Sequence, residues 1–362
     1  MSERLPRLLV PAVLLALALI APFFLEAFWL QTGLFAMAAA IGAIGLTILT
    51  GTAGQLSLAH AFFAAVGAYG YCYLAGGGGL GVSAASGLGL PTLPALVLAV
   101  AIAGLTGALY SPIAGRLRGI YLGIASIGLV FIGQHILFNA TGLTGGFNGR
   151  DAAPFSLLGF TFGAGDPELV IFGVPFEDME RLWYLGLALL AIAYLFGRLL
   201  VAGRPGRALE TIRDSEVAAA VNGVDVTRYK AAAFTISSMY AGLAGVLLAL
   251  VFGRIVPESF GLNLSVEFLA MIVIGGLGSI RGAVLGGIFV SMLPKVLDEY
   301  SGSLPFLAAA GSGGGIEPGM AARFAFGAAI VAVLIFAPGG IGALWRGSRP
   351  APSTSPPKES AA

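Results

Sequence analysis

Long apolar segments recur from near the start of this chain to about residue 345, and they limit its fold more than any other feature. A helix needs about 20 mostly apolar residues to cross the ~30 Å hydrocarbon core of a bilayer. Suitable windows lie at residues 8–25, 30–50, 56–75, 92–114, 119–138, 182–202, 231–253, 262–280, 282–300 and 321–345. Only 10% of the residues are charged, against about 25% in soluble domains. The sequence therefore predicts an all-α polytopic membrane protein with about ten transmembrane helices.

Some of these helices are predicted to be broken or re-entrant. Window 56–75 contains His60, and the two windows around 262–300 contain Glu267 and a dense run of glycines. Polar groups and glycines at membrane depth are typical of interrupted helices in transporters. Glycines spaced four residues apart also let helix backbones approach closely. The predicted packing face consists of Gly278, Gly282 and Gly286.

The positions of lysine and arginine predict which side of the membrane each loop faces, because these residues are retained on the cytoplasmic side. An even number of spans places both termini on one side. Fourteen lysines and arginines then lie on the side of the termini, and five lie on the other side: Arg150, Arg181, Arg254, Lys295 and Arg323. Both termini are therefore predicted to be cytoplasmic, with an external loop at 139–181 and a cytoplasmic loop at 203–230.

The ends of the chain and its cysteine and histidine content complete the predicted organisation. The first window is interpreted as an uncleaved span, since residues 26–29 offer no small-residue cleavage site. The transmembrane domain is predicted to cover residues 1–346, and the proline-rich tail 347–362 to be disordered and cytoplasmic. The lone Cys72 has no intrachain disulfide partner. Two isolated histidines predict no metal site, and a net charge of +1 predicts no nucleic-acid binding.

The cytoplasmic loop carries the most informative pattern. Residues 206–225 read GRALETIRDSEVAAAVNGVD. This composition favours helix, with Ser215 as an N-cap and Gly223 as a C-terminal stop. An ordinary interfacial helix would have this composition, and so would a helix that docks in the groove of a partner protein. The residues alone leave both alternatives open.

Within this loop, the pattern EVAAAVNG at residues 216–223 resembles the coupling-helix motif of the permeases of ATP-binding-cassette (ABC) importers. The glycine falls one residue later than in the general motif. That spacing, with residues 206–209 and 212–213, resembles the branched-chain amino acid permease family of the LivM and LivH type. Other stretches that resemble this family are residues 51–69, where Ala59 replaces a common glycine, and residues 118–122, 144–146 and 265–279.

The resemblance implies a membrane-spanning permease subunit of an ABC importer in the bacterial cytoplasmic (inner) membrane. It implies as partners a second permease subunit, homologous or identical, two ABC ATPase subunits on the cytoplasmic side and an external solute-binding protein. ATP and Mg would bind to the ATPase subunits and no cofactor to this chain, which has no Gly-x-x-x-x-Gly-Lys-Ser/Thr phosphate loop. The implied substrate is a branched-chain or other hydrophobic amino acid. Related permeases carry urea, short amides or simple sugars, which remain alternatives.

Two sets of residues are the candidates for function. The resemblance assigns ATPase coupling to Arg207, Ala208, Leu209, Ile212, Arg213, Asp214, Glu216, Ala218, Ala219 and Gly223. Polar residues and glycines in or beside the spans are candidates for the translocation path, because a polar group that faces lipid is costly. They are Gln55, Ser57, His60, Gln134, His135, Asn139, Thr144, Gly145, Gly146 and Glu267. Hydrogen bonding between helices and close helix packing are the structural alternatives for these residues.

An ion-coupled secondary transporter or channel is the alternative from another class of protein. It would require paired intramembrane acids or bases that form an ion relay, and Glu267 alone gives it poor support. An intramembrane enzyme is a third alternative. No grouping of serine, histidine and aspartate has a convincing spacing for catalysis.

Overall fold

The structure, a computed structural model, describes residues 13, 15–77, 87–117, 119–163, 169–171, 174–300, 318–336 and 340. Its helices are α1 (Ala27–Leu46), α2 (His60–Ala75), α3 (Thr92–Arg116), α4 (Ile120–Asn139), α5 (Asp178–Ala202), α6 (Arg204–Asp214), α7 (Glu216–Val221), α8 (Val226–Phe252), α9 (Leu262–Gly275), α10 (Ile280–Glu299) and α11 (Pro318–Phe336). A π-helical segment, Thr47–Thr52, extends α1. Single helical turns lie at Ala21–Phe23, Thr141–Thr144, Gly146–Asn148 and Pro257–Phe260. Residues 1–12, Arg118 and the predicted disordered tail 347–362 lie outside the described residues.

Six helices in the described part of the chain are long and apolar enough to cross a membrane: α1 with its π-helical extension, α3, α4, α5, α8 and α10. Shorter apolar helices lie at Leu262–Gly275 and Met320–Val333, and α2 has 16 residues. The prediction of a mostly helical, polytopic membrane protein is confirmed. The number of ten spans and the side of the membrane on which each end lies stay predictions.

Helix α1 lies at the centre of the bundle. It is apolar on every side, and a helix of that kind is stable when it is surrounded by other helices. It packs against α5, α8, α9 and α10, and its Leu34, Ile41 and Ile44 are fully buried. Helices α3 and α5 instead expose apolar side chains such as Leu109 and Leu199, which suits contact with lipid tails.

Helices α2 and α8 cross with their backbones in contact, and glycines make this approach possible. A Cβ atom placed on Gly67 would overlap the backbone of Gly242, and one placed on Gly245 would overlap the carbonyl of Ala64. Backbone atoms cannot move aside as a flexible side chain can, so no larger residue fits at either position. Close approach of small residues is a common basis of helix association in lipid.

The glycine-rich windows around 262–300, predicted to be broken or re-entrant, form two helices joined by a turn. Helix α9 ends at Gly275, and Gly276 and Gly278 have φ angles of 105° and 79° before α10 begins. A Cβ atom on Gly282 or on Gly286 would overlap the backbone of α9. The predicted packing face is therefore correct for Gly282 and Gly286. It is wrong for Gly278, whose positive φ angle places it in the turn.

The segment between α1 and α2 is not helical over residues 54–59, although the sequence predicts a span that starts at residue 56. Serines on two other helices bind the backbone amides of this segment and of the first turn of α2. Ser126 Oγ accepts a hydrogen bond from Leu58 N at 2.8 Å, and Ser265 Oγ accepts one from Ala61 N at 3.1 Å. Lipid offers no such partners, so a break at membrane depth needs them from the protein. The prediction of an interrupted helix is correct here.

Small antiparallel sheets lie at one end of the bundle. Strand β1 (Arg150–Asp151) pairs with β6 (Arg254–Ile255), β2 (Phe155–Leu157) with β3 (Phe160–Phe162), and β4 (Leu169–Ile171) with β5 (Val174–Phe176). We call this end the hairpin end, and the opposite end, where α6 and α7 lie, the helix-pair end. The all-α prediction is wrong for the hairpin end, because short segments there form paired strands rather than helices or plain loops.

Two buried arginines attach the hairpin end to the helices. Arg150 Nε donates to the carbonyl of Cys72 at 3.0 Å, and its Nη1 donates to the carbonyl of Leu143 at 2.6 Å. Arg181 Nε donates to the carbonyl of Phe176 at 2.9 Å. Charge-assisted hydrogen bonds of this kind are stronger than neutral ones, so they hold the strands against α2, α5 and the helical turn Thr141–Thr144.

Candidate functional site

The predicted coupling segment forms two short helices, α6 and α7, which we call the helix pair. Ser215 separates them, and its Oγ accepts a hydrogen bond from Ala218 N at 3.2 Å. After α7 ends, Gly223 has a φ angle of 80°, a conformation that glycine adopts without strain. The prediction of Ser215 as an N-cap and Gly223 as a helix stop is confirmed.

One face of the helix pair is buried against the bundle. Leu209, Ile212 and Ala219 are at most 2% exposed and belong to one apolar cluster with Phe234 of α8. Full burial of a leucine or isoleucine side chain contributes about 1.5–3 kcal/mol, so this cluster holds the pair in place. Ala208 is half-buried. Leu209, Ile212 and Ala219 therefore position the pair and do not themselves offer a surface to a partner.

Charged contacts fix the helix pair further. Lys230 Nζ lies 2.5 Å from Glu216 Oε1, and the lysine side chain is largely buried. Arg213 Nη1 donates to the carbonyl of Gly51 at 2.8 Å, and its Nη2 lies 3.3 Å from Asp214 Oδ1. Gly51 belongs to the π-helical extension of α1. Arg213 therefore connects the helix pair directly to the central helix.

The backbone around Arg213 is tightly packed. A Cβ atom on Gly51 would overlap the backbone of Gly278, and one on Gly54 would come within 2.7 Å of Arg213 Cγ. Gly54 and Gly278 also have positive φ angles, which other residues rarely adopt. The end of α1, the turn between α9 and α10, and the helix pair thus meet at one point.

The outward face of α7 exposes two valines that the sequence pattern did not single out. Val217 and Val221 are 76% and 83% exposed, and their i, i+4 spacing places them on one side of the helix. The predicted coupling residues Arg207, Asp214 and Ala218 are also exposed. An exposed apolar surface with polar neighbours is typical of protein interaction sites.

Three translocation-path candidates lie inside the bundle, at the break before α2. Ser57 Oγ accepts a hydrogen bond from Ala59 N at 3.3 Å, and His60 Nε2 lies 2.9 Å from the carbonyl oxygen of Gly42. Gln55 is also buried, and its Oε1 has no hydrogen-bond partner among the described residues. Ser57 and His60 thus make contacts that stabilise the interrupted span.

A second group of path candidates lies at and beyond the end of α4. Buried Thr144 donates to a carbonyl of the last turns of α4 and accepts a hydrogen bond from Gly146 N at 3.1 Å. Gly145 and Gly146 have φ angles of 76° and 58° and shape the turn. His135 and Asn139 are exposed, and Asn139 Nδ2 donates to the carbonyl of His135 at 2.8 Å. The structure does not bring this group together with the residues before α2.

Gln134 and Glu267, which lie far apart in the sequence, are brought to the same cavity. Both line a cavity of about 640 Å³ at the hairpin end, between α1, α4, α8, α9 and α10. That volume falls within the usual range for small-molecule sites. Its wall also includes Glu258 and Lys295, and we call this cavity the charged cleft. In the part of the chain that the structure describes, no cluster of His, Cys, Asp or Glu is arranged for a metal ion.

Comparison with known proteins places this geometry in a family. The sequence profile described as "Branched-chain amino acid transport system / permease component" matches residues 29–337. The high-affinity branched-chain amino acid permease protein LivM of Salmonella typhimurium is 32% identical over 311 residues, which cover 80% of this chain and 68% of the relative. LivM of Escherichia coli is 33% identical over 300 residues, with the same coverage.

A less similar relative is also named as a branched-chain amino acid permease protein. The high-affinity branched-chain amino acid permease protein LivH of Escherichia coli is 29% identical over 273 residues, which cover 72% of this chain and 82% of the relative. No solved structure matches the chain. The matched region runs from α1 to α11 and contains both the helix pair and the charged cleft. This chain therefore belongs to the family of permease components of branched-chain amino acid transport systems.

Proposed function

We propose that this chain is the path-forming subunit of an ABC importer that moves branched-chain or other hydrophobic amino acids across the bacterial cytoplasmic membrane. The observation that carries the proposal is the exposed apolar surface of α7, on a helix pair that is anchored to the central helix. Family membership supports the role of permease, and the names of the relatives support the class of solute. A helix pair of this kind offers a docking surface and passes its movement to α1 through Arg213.

In the proposed importer, the other subunits supply ATP binding, the rest of the path and delivery of the solute. Two ABC ATPase subunits bind ATP and Mg, and each would receive one helix pair. A second permease subunit, homologous or identical, completes the path, and an external solute-binding protein delivers the amino acid to the hairpin end. This chain binds no cofactor in this arrangement. The coupling residues act in two ways: the buried ones hold the helix pair, and the exposed ones meet the ATPase.

The proposed topology has ten spans and cytoplasmic termini. It places the helix-pair end in the cytoplasm and the hairpin end outside. The excess of lysine and arginine on the side of the termini supports this orientation. The predicted loops at 139–181 and 203–230 then correspond to the external and cytoplasmic segments, and residues 1–346 to the transmembrane permease domain.

The charged cleft supports a path along α9 and α10. A carboxylate or an ammonium group that faces lipid is costly, so Glu267 and Lys295 are better accommodated beside an aqueous path. The second permease subunit would close the open side of the cleft. The break before α2 lies deeper in the bundle, where contacts of Ser57 and His60 keep the interrupted helix in place.

Cysteine labelling tests the orientation. In intact cells, a membrane-impermeant maleimide is expected to label Leu158→Cys, at the fully exposed tip of the β2–β3 hairpin, and not Ser215→Cys. Ser215→Cys should react only after the membrane is opened. The unaltered chain is the matched control, because its Cys72 is buried. Labelling of Ser215→Cys from outside would contradict the proposed orientation.

Reconstitution tests the function. Proteoliposomes that contain this chain, the second permease subunit and the ATPases are expected to take up L-leucine only when the binding protein is outside and ATP is inside. Uptake should persist when ionophores remove the proton and sodium gradients. Uptake that requires a gradient and ignores ATP would instead indicate an ion-coupled transporter. Preferential uptake of urea or ribose would correct the class of solute.

A further inference from the structure

We propose that the charged cleft is a binding site for a zwitterionic amino acid with an apolar side chain. The permease would then select among solutes by itself, in addition to any selection by the external binding protein. This inference rests on the proposed function and adds the residues that recognise the solute. The inference is supported by the two sides of the cleft, one of which is charged and the other apolar.

The charged side of the cleft offers both signs of charge. Lys295 supplies an ammonium group from the last turns of α10, and Glu267 of α9 and Glu258 supply carboxylates. Within the described residues, no side chain of opposite charge lies within ion-pair distance of any of the three, and Arg323 of α11 acts on Glu267 only at longer range. The α-carboxylate of an amino acid could therefore pair with Lys295 and its α-ammonium group with a glutamate.

The apolar side of the cleft is formed by aromatic and aliphatic side chains: Phe35, Leu248, Phe252, Leu264, Phe268 and Met271. Lys295 Nζ lies 5.7 Å from the ring centre of Phe35, a cation–π contact that keeps the ammonium group at the border between the two sides. Flexible Met271 can adapt to side chains of different shape. An aliphatic side chain and a charged head group would thus find separate surfaces in one cavity.

The same arrangement disfavours the alternative solutes. Urea, short amides and sugars carry no net charges, so they would cover Lys295 and the glutamates without pairing them. Covering a charge without a partner is unfavourable. A simple amine or a simple carboxylate would pair one sign of charge and leave the other. The cleft therefore fits a solute that carries both charges close together.

Direct binding to the membrane complex tests the inference. The permease pair with its ATPases, in nanodiscs and without binding protein or ATP, is expected to bind tritiated L-leucine saturably. Isoamylamine and isocaproate, which each lack one of the two charges, should compete at least about tenfold less well than L-isoleucine. Lys295→Met and the double variant Glu258→Gln with Glu267→Gln should each weaken leucine binding about tenfold or more. Lys295→Arg, which keeps the charge, should retain most of it.

Glu299→Gln is the matched control, because Glu299 ends the same helix as Lys295 but does not line the cleft. Binding no greater than that of empty nanodiscs would overturn the inference. So would unchanged binding in both the lysine and glutamate variants, or equal competition by the singly charged analogues. The same preparation is then assayed for ATP-driven leucine uptake with binding protein. Uptake without direct binding refutes only the site, whereas lack of uptake refutes the proposed function.

Discussion

Replacement of Val217 and Val221 by aspartate is expected to abolish co-purification of the ATPase subunits and, with it, ATP-driven uptake. Both side chains are mostly exposed, so neither substitution removes a buried contact within the chain. In the proposed complex the two positions face a groove of the ATPase, where an unpaired carboxylate would be desolvated. Loss of a central interface side chain costs about 2 kcal/mol or more, which is about 30-fold in affinity.

The measurement is the ratio of ATPase to permease recovered by an affinity tag on the permease. Val217→Ile with Val221→Ile is the matched control, since it keeps an apolar surface, and it should recover ATPase normally. The thermal unfolding midpoint of the aspartate variant should match that of the native permease. A normal recovery of ATPase with the aspartate variant would show that this face of α7 is not the docking surface.

Gly245→Val is expected to prevent stable folding of the permease. A Cβ atom at this position overlaps the carbonyl of Ala64, and the crossing of α2 and α8 would have to widen to admit a valine. Overpacking costs about 1–3 kcal/mol in ordinary cores, and we expect about 3 kcal/mol or more because backbone blocks the site. The yield of monodisperse protein in size-exclusion chromatography and its thermal unfolding midpoint should both fall.

Gly128→Val on α4 is the control for Gly245→Val. It makes the same change in helix propensity, but no other atom lies within 4 Å of the added Cβ. Its yield and unfolding midpoint should stay close to those of the native protein. Equal behaviour of the two variants would mean that α2 and α8 do not cross at the distance described.

The positions of the long helices along the sequence were predictable because a lipid bilayer allows few backbone conformations. A segment of about 20 apolar residues must be helical in a bilayer, which locates α1, α3, α4, α5, α8 and α10. Interrupted helices were predictable around His60 and around the glycines after α9, since polar groups and glycines are costly in a lipid-facing helix. The cap at Ser215 and the stop at Gly223 followed from local backbone chemistry.

The outward faces and the sites were less predictable, because they depend on contacts between distant segments. Val217 is the larger apolar residue, yet it is exposed, whereas the smaller Ala219 is buried. The reason is that α8 and α1 already fill the space beside the helix pair. Lys295 and Glu258 lie far apart in sequence and meet only through the fold of α8, α9 and α10. Strand β1 escaped prediction because it pairs with Arg254 and Ile255, about 100 residues away, and strands β2 to β5 escaped it because each is only three residues long.

The bond between Arg213 and Gly51 has a consequence for how coupling can vary among related chains. Its acceptor is a main-chain carbonyl, which every residue type supplies, so a substitution at position 51 cannot delete the acceptor itself. Position 51 is instead restricted by space, since any side chain would collide with Gly278. A substitution that removes this hydrogen bond must therefore replace its donor, Arg213. In the proposed importer, substitutions along the membrane path can therefore change the solute that is carried without removing this contact between the helix pair and α1.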